Sequence, residues 1–110
     1  MGQPAETTRR RYVRLPVLLP AAGWMTDPQS AKVQGTVRNV SAGGILAEFP
    51  MEMPPGRSIR VVLSSRQGLL EVDGTVMWVR GVGLGIHHGI AFPEPKSRRF
   101  ALDLFLAEHR

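Results

Sequence analysis

From Leu15 to Phe92 apolar and polar positions alternate in short runs, and each run stops at a cluster of Gly, Pro, Asn, Asp or Ser. Alternation with that period puts successive side chains on opposite faces of a strand, and the stops supply turns. Leu15–Pro20 reads as a short strand at a sheet edge, because proline cannot donate to a ladder and Pro16 and Pro20 both fall in it. Trp24 and Met25 could extend that strand, and Asp27-Pro28 marks a turn. Val33–Val40 sets Val33, Gly35, Val37 and Asn39 on one face, with Gln34, Thr36, Arg38 and Val40 on the other. Gly44–Phe49 is the next strand, ended by Pro50. A Pro-rich loop runs to Gly56, and Ile59–Leu63 follows as a strand. Ser64–Gly68 reads as a hairpin loop into Leu69–Val79, which sets Val72, Gly74, Val76 and Trp78 on one face. Gly74 marks a bulge or sharp bend in that strand. A glycine-rich turn, Gly81–Gly85, leads into the last strand, Ile86–Phe92.

The period then changes. Ser97–His109 contains neither Gly nor Pro and is built from good helix formers. Phe100, Ala101, Leu104 and Phe105 form an apolar stripe at helical spacing, and Leu102 and Leu106 widen it. Pro95 near the start and His109-Arg110 at the end suit helix polarity. About six short strands followed by one helix predict a small antiparallel barrel or sandwich with a helix packed on it. Trp78 and Phe92 fall in apolar strand patterns and are expected in the core, whereas Trp24 sits beside a turn and is left open.

Composition narrows the class. The 110 residues fit one domain, and 43% hydrophobic content suffices for a core. With no cysteine, disulfides, thiolate metal sites and thiol nucleophiles are excluded, in keeping with a reducing compartment. The N-terminus is polar, with no apolar signal segment, and no apolar run approaches the roughly 20 residues of a spanning helix. A soluble, cytoplasmic protein without membrane insertion is expected. Lys+Arg number 14 against 9 Asp+Glu, a net charge of +5. Lys32 and Lys96 are the only lysines. High-GC coding favours arginine everywhere but does not explain where the arginines cluster. Guanidinium offers a planar fork for phosphate or guanine edges and stacks on flat rings.

The cluster lies at Arg9-Arg10-Arg11-Tyr12-Val13-Arg14, between a polar tail and the first strand. It reads either as a solvated basic tail or as a clamp for an anionic, planar ligand. The second candidate is the turn Asn39-Val40-Ser41-Ala42-Gly43-Gly44. Asn39 can donate and accept, Ser41 adds a hydroxyl, and Gly44 lets backbone approach closely. Alone, these residues also make an ordinary hairpin turn. His87-His88 does not suggest a metal site, since neighbours on a strand point to opposite faces. Asp27, Glu48, Glu71 and Asp73 form no arguable catalytic pairing, and no nucleophile–base set is found.

Arg10-x-x-x-Arg14 and Asn39-x-Ser41-x-x-Gly44, in that order, resemble the PilZ domain family. Gly74-Thr75-Val76-Met77-Trp78, then Gly89-Ile90-Ala91-Phe92, then a helix, agree with it. The resemblance covers Arg9 to the C-terminus. It implies a mainly β fold, a six-stranded antiparallel β-barrel of split-barrel type with a C-terminal α-helix. Residues 1–8 are then a flexible tail and 9–110 the PilZ-like domain: a ligand-binding segment at 9–14, the barrel at 15–93 and the helix at 95–109. It further implies a non-enzymatic cyclic di-GMP receptor with no cofactor beyond that ligand. Arg10 and Arg14 would clamp guanine and phosphate, Asn39 and Ser41 would hydrogen-bond a guanine, and Gly43 and Gly44 would shape the turn. Arg9, just ahead of the motif, accompanies a stacked ligand dimer in similar proteins. Output would pass through an unidentified protein effector, with motility, exopolysaccharide production or biofilm formation as the usual processes.

Two rival readings stand beside this one. A nucleic-acid-binding barrel is compatible with the net charge, but Phe 4, Trp 2 and Tyr 1 are few for a stacking surface. A PilZ-like protein-interaction domain that does not bind the ligand would keep the fold and lose the site.

Overall fold

The hydrophobic runs become strands, and these reach into the expected turns as far as Ser65 and Val82. The computed structural model describes residues 12–109. Six strands, β1 Leu15–Met25, β2 Val33–Val40, β3 Gly44–Phe49, β4 Ser58–Ser65, β5 Gly68–Val82 and β6 Gly85–Ala91, precede one helix, α1 Arg98–Glu108. They close into a barrel in the order β1-β2-β3-β6-β5-β4, every neighbouring pair antiparallel.

β1 is not the short edge strand expected from its prolines. It runs through Met25, pairing with β2 over Leu15–Gly23 and with β4 over Ala21–Met25. The proline signal holds for half of it. Pro16 and Pro20 precede the first β4 pairing, at Ala21, and both are exposed, so their missing N–H groups leave no ladder bond to β4 unmade.

Two strands depart from strict alternation, for one physical reason. β2 pairs Val37 with Ala47 but Asn39 with Leu46, so Arg38 is an extra residue. β5 pairs Val76 with Ile90 but Trp78 with Gly89, so Met77 is an extra residue. Such bulges reverse the faces of everything beyond them. Val37 and Val40 therefore both point inward, and Asn39 does not share Val37's face. Likewise Trp78 leaves the face of Val72 and Val76. It is half-buried on the outside of the barrel, not in the core. Gly74 carries no bulge; a Cβ there would come within 2.6 Å of the Ala91 carbonyl oxygen, so it permits close β5–β6 approach.

The interior is filled by Val17, Leu19, Ala21, Val37, Val40, Ile45, Ala47, Phe49, Ile59, Val61, Leu63, Val72, Val76 and Ile90. Phe49 is the largest fully buried side chain. Its ring occupies space left by Gly23, where a Cβ would lie 2.6 Å from Cζ. Met53, from the loop after β3, is also fully buried.

Ser97 caps α1, its hydroxyl accepting from the Phe100 amide at 3.3 Å. The helix packs against β1, β2 and β4, burying Ala101, Leu104 and Ala107. Phe100 and Phe105 pack partly buried on the same core, and Phe92 meets Phe100 edge-on at 5.7 Å. Phe92 is thus a core residue, as expected. Leu102 and Leu106 are exposed instead of widening the stripe. At about 100° per residue they fall away from the face that Ala101, Leu104 and Ala107 define. Among the described residues no helix is long and apolar enough to cross a membrane.

Candidate ligand site

The two bulges aim side chains at one place. On the outer face, register sets Asn39 beside Leu46, Leu46 beside Gly89, and Gly89 beside Trp78. Gly89 has no side chain, and the indole of Trp78 lies where its Cβ would be. The row therefore reads as a polar wall at Asn39, a floor at Leu46 and Gly89, and an aromatic wall at Trp78. Tyr12, Arg14, Ser41, Gly43, Gly44, Met77 and Ala91 complete a cleft of about 480 Å³. That volume suits a small ligand held by a few placed polar groups.

The turn between β2 and β3 is held in place by its own hydrogen bonds. The Ser41 hydroxyl accepts from the amides of Gly43 and Gly44, each at 3.1 Å, and donates to the Gly44 carbonyl at 3.3 Å. The Ser41 amide donates to the same carbonyl at 2.9 Å. Beyond β6, the Lys96 amide donates to the Ala42 carbonyl at 2.6 Å and the Phe92 amide to the Gly43 carbonyl at 2.9 Å. The turn is thus tied to the segment that leads into the helix. The glycines serve close approach. A Cβ on Gly44 would collide with the Ile90 carbonyl oxygen, and one on Gly43 would lie 2.5 Å from the Tyr12 ring.

Of the expected site residues, Arg14, Asn39, Ser41, Gly43 and Gly44 converge on this cleft. Arg9 and Arg10 lie outside the described residues. Ser41 is buried and its hydroxyl's hydrogen bonds stay within the turn, whereas the Asn39 amide makes no hydrogen bond among the described residues. Tyr12, Leu46, Met77 and Trp78 were not expected here. Tyr12 falls inside the arginine motif, which was a usable signal; the other three depend on register.

One row further along the outer face, Glu48 pairs with His87, and His87 with Arg80. The Arg38 Nε sits 2.6 Å from Glu48 Oε1, and His87 Nε2 lies 3.4 Å from the same oxygen. Arg38 is the main cause that holds the Glu48 carboxyl below its ordinary range, with His87 adding to it. The Glu48 carboxylate is thereby offset by a cation. Arg80 lies 5.8 Å from the Trp78 ring and has no carboxylate within 4.0 Å among the described residues. The two adjacent histidines face opposite ways, as expected. His87 is on the surface; His88 is fully buried. His88 Nε2 accepts from the Met53 amide at 2.9 Å, Nδ1 lies 3.0 Å from the Ile86 carbonyl, and burial pushes its pKa down. Among the described residues no three His, Cys, Asp or Glu gather as a metal site.

A closed six-stranded barrel with a C-terminal helix thus carries an outward cleft between Arg14 and an Asn–Ser–Gly turn. The chain belongs to the PilZ domain family, whose profile it matches over residues 8–104. Solved structures share the fold. The PilZ domain of YcgR from Escherichia coli with c-di-GMP superposes with a TM-score of 0.70 at 19% identity, covering 92% of each chain. The inhibitor of motility MotI/DgrA of Bacillus subtilis gives 0.70 at 17% identity over 93% of this chain and 54% of its own. YcgR of Escherichia coli in complex with c-di-GMP gives 0.68 at 17% identity over 87% of this chain and 42% of its own. The chain thus spans about half the length of MotI and less of YcgR. Comparison with curated protein sequences returned no significant match.

Proposed function

We propose that this chain is a non-enzymatic cyclic di-GMP receptor that acts through a protein effector. The observation that carries the reading is the convergence of Arg14, Asn39 and the Ser41–Gly44 turn on one cleft. Family membership and the c-di-GMP complex of YcgR support the choice of ligand. Arg10 and Arg14 supply the cationic clamp for guanine and phosphate, and Asn39 reads a guanine edge. Ser41, Gly43 and Gly44 preform the turn, and Trp78 offers a flat wall for a base. One bidentate Arg–guanine pair discriminates by about 1–3 kcal/mol, so tight binding needs several such contacts together. Ligand closes the arginine segment over the turn, and the new surface is what an effector reads. Control of motility, exopolysaccharide or biofilm formation, in the cytoplasm, fits that role.

Titration calorimetry with cyclic di-GMP tests it. Wild type binds, and Arg10→Ala and Arg14→Ala each abolish binding while the barrel melts as before. Wild-type affinity in both variants would overturn the assignment. A ratio near two ligands per chain, reduced to one by Arg9→Ala, would mark the stacked dimer. An oligonucleotide shift that weakens with salt, with no response to cyclic di-GMP, would favour the nucleic-acid reading.

A further inference from the structure

β5 outgrows the barrel. Its first half pairs with β4 as far as Ser58↔Thr75, and its second half, Thr75–Val82, pairs with β6. The loop before β4 prolongs the first contact by one residue. The Gly56 amide donates to the Val76 carbonyl at 2.7 Å, and the Val76 amide to the Arg57 carbonyl at 3.0 Å. Beyond Val76, among the described residues, no strand pairs with that side of β5. β5 therefore has an open edge at Met77–Val82.

Register says which backbone groups face the opening. Val82 and Gly85 close the two-residue turn Gly83-Leu84, with Gly83 at φ 61°. In such a hairpin the closing pair exchanges both hydrogen bonds, and alternate residues follow suit. Val82 and Arg80 thus turn their amides toward β6, and Val79 and Gly81 turn theirs outward. Met77, Arg80, Gly81 and Val82 are exposed. No acidic residue occurs between Asp73 and Glu94. Arg80 is the only charged side chain of the edge.

We propose that this edge docks an extended, acidic peptide segment of a partner protein by strand addition. The backbone provides the donors and acceptors, and Arg80 selects for Asp or Glu. A second copy of the chain is the poorer occupant. Antiparallel pairing of two such edges would bring Arg80 near its own copy, and like charges across a strand pair repel. The edge exists whatever fills the cleft, so the proposal goes beyond the ligand reading. Met77 and Trp78 belong to both, which would let an occupied cleft be felt at the edge.

The test is amide NMR on the full 15N-labelled chain, titrated with the peptide acetyl-Thr-Glu-Val-Glu-Thr-Glu-amide and with its lysine counterpart. The acidic peptide is expected to shift the amides of Val79 and Gly81, and the lysine peptide to leave them in place. Gly81→Pro removes an outward donor and should weaken binding about tenfold, the loss of roughly one hydrogen bond. Arg80→Glu, which leaves the backbone intact, should reverse the preference between the two peptides and decides the matter should the proline variant not fold. Unmoved Val79 and Gly81 amides, equal response to both peptides, or concentration-dependent pairing of the chain with itself would each overturn the proposal. Cyclic di-GMP is left out of the first titration, so a failure of the ligand reading does not obscure this result.

Discussion

Asn39 and Trp78 stand on opposite sides of one cleft, and each is put there by a bulge. Arg38 is the extra residue before Asn39, and Met77 the extra residue before Trp78. The two walls differ in chemistry. Asn39 offers an amide with no partner among the described residues, beside a turn whose own hydrogen bonds are complete. Trp78 offers a ring laid over a glycine. A barrel with a packed interior thus gains a cleft on its outside. A local break in alternation presents consecutive residues outward without unpacking the core, which is why bulges recur beside functional sites.

The largest effect should come from the floor that the two walls share. Gly89→Val puts a branched side chain where the indole lies, so stability should fall by about 1–3 kcal/mol in a urea melt. Cyclic di-GMP binding should fall with it, because the aromatic wall is displaced. An unchanged melt would show that the Trp78 ring swings aside freely. Next come the walls one at a time. Trp78→Ala should weaken binding by about 1–3 kcal/mol, the usual value of one base stacked on an aromatic ring, with little change in melting temperature. Asn39→Ala should cost a similar amount but fall selectively on guanine, leaving an adenine analogue of the ligand nearly unaffected. Equal losses for both nucleotides would remove Asn39 from base reading.

A smaller effect separates the cleft from the core behind it. His88 is next to Gly89 but points inward, and burial holds its pKa below the ordinary imidazole value. The unfolded chain therefore takes up the proton first. Stability should be complete above about pH 6.5 and decline as pH drops below that, until the folded state is protonated too. His88→Gln should flatten that part of the profile in melts recorded from about pH 8 to pH 5. Glu48 and Asp73, each held low by an arginine, act later. Their contribution is present above about pH 4 and is lost as pH falls through their folded values. The smallest change is expected from Arg60→Ala. Arg60 bonds both Asp73 oxygens, at 2.6 and 3.2 Å, but all partners are exposed, so the melt should barely move.

Much of this was legible in the chain. The polar half of the cleft sits in two short motifs at local spacing, so Arg14, Asn39, Ser41, Gly43 and Gly44 stand out before any fold is known. The apolar half could not. Trp78 shares the sequence parity of Val72 and Val76, and nothing local says that Met77 is supernumerary; only the pairing of β5 with β6 makes it so. Leu102 and Leu106 misled for a related reason. They are helical and apolar, but the buried face is chosen by what the barrel presents to the helix. β1 exceeded its predicted length because prolines are excluded from a ladder only where both neighbours are present, and β1 has one neighbour through Pro20.

By itself, the sequence determined the order of the strands, the helix that follows them, and the motifs of the arginine segment and the turn. These follow from local rules of period, turn chemistry and side-chain type. The tertiary structure alone decided which side of the barrel each residue faces past a bulge, and hence that an indole forms the far wall of the cleft. It also left one edge of β5 open. Both are matters of register between strands far apart in the chain, and alternation within a single strand carries no information about register.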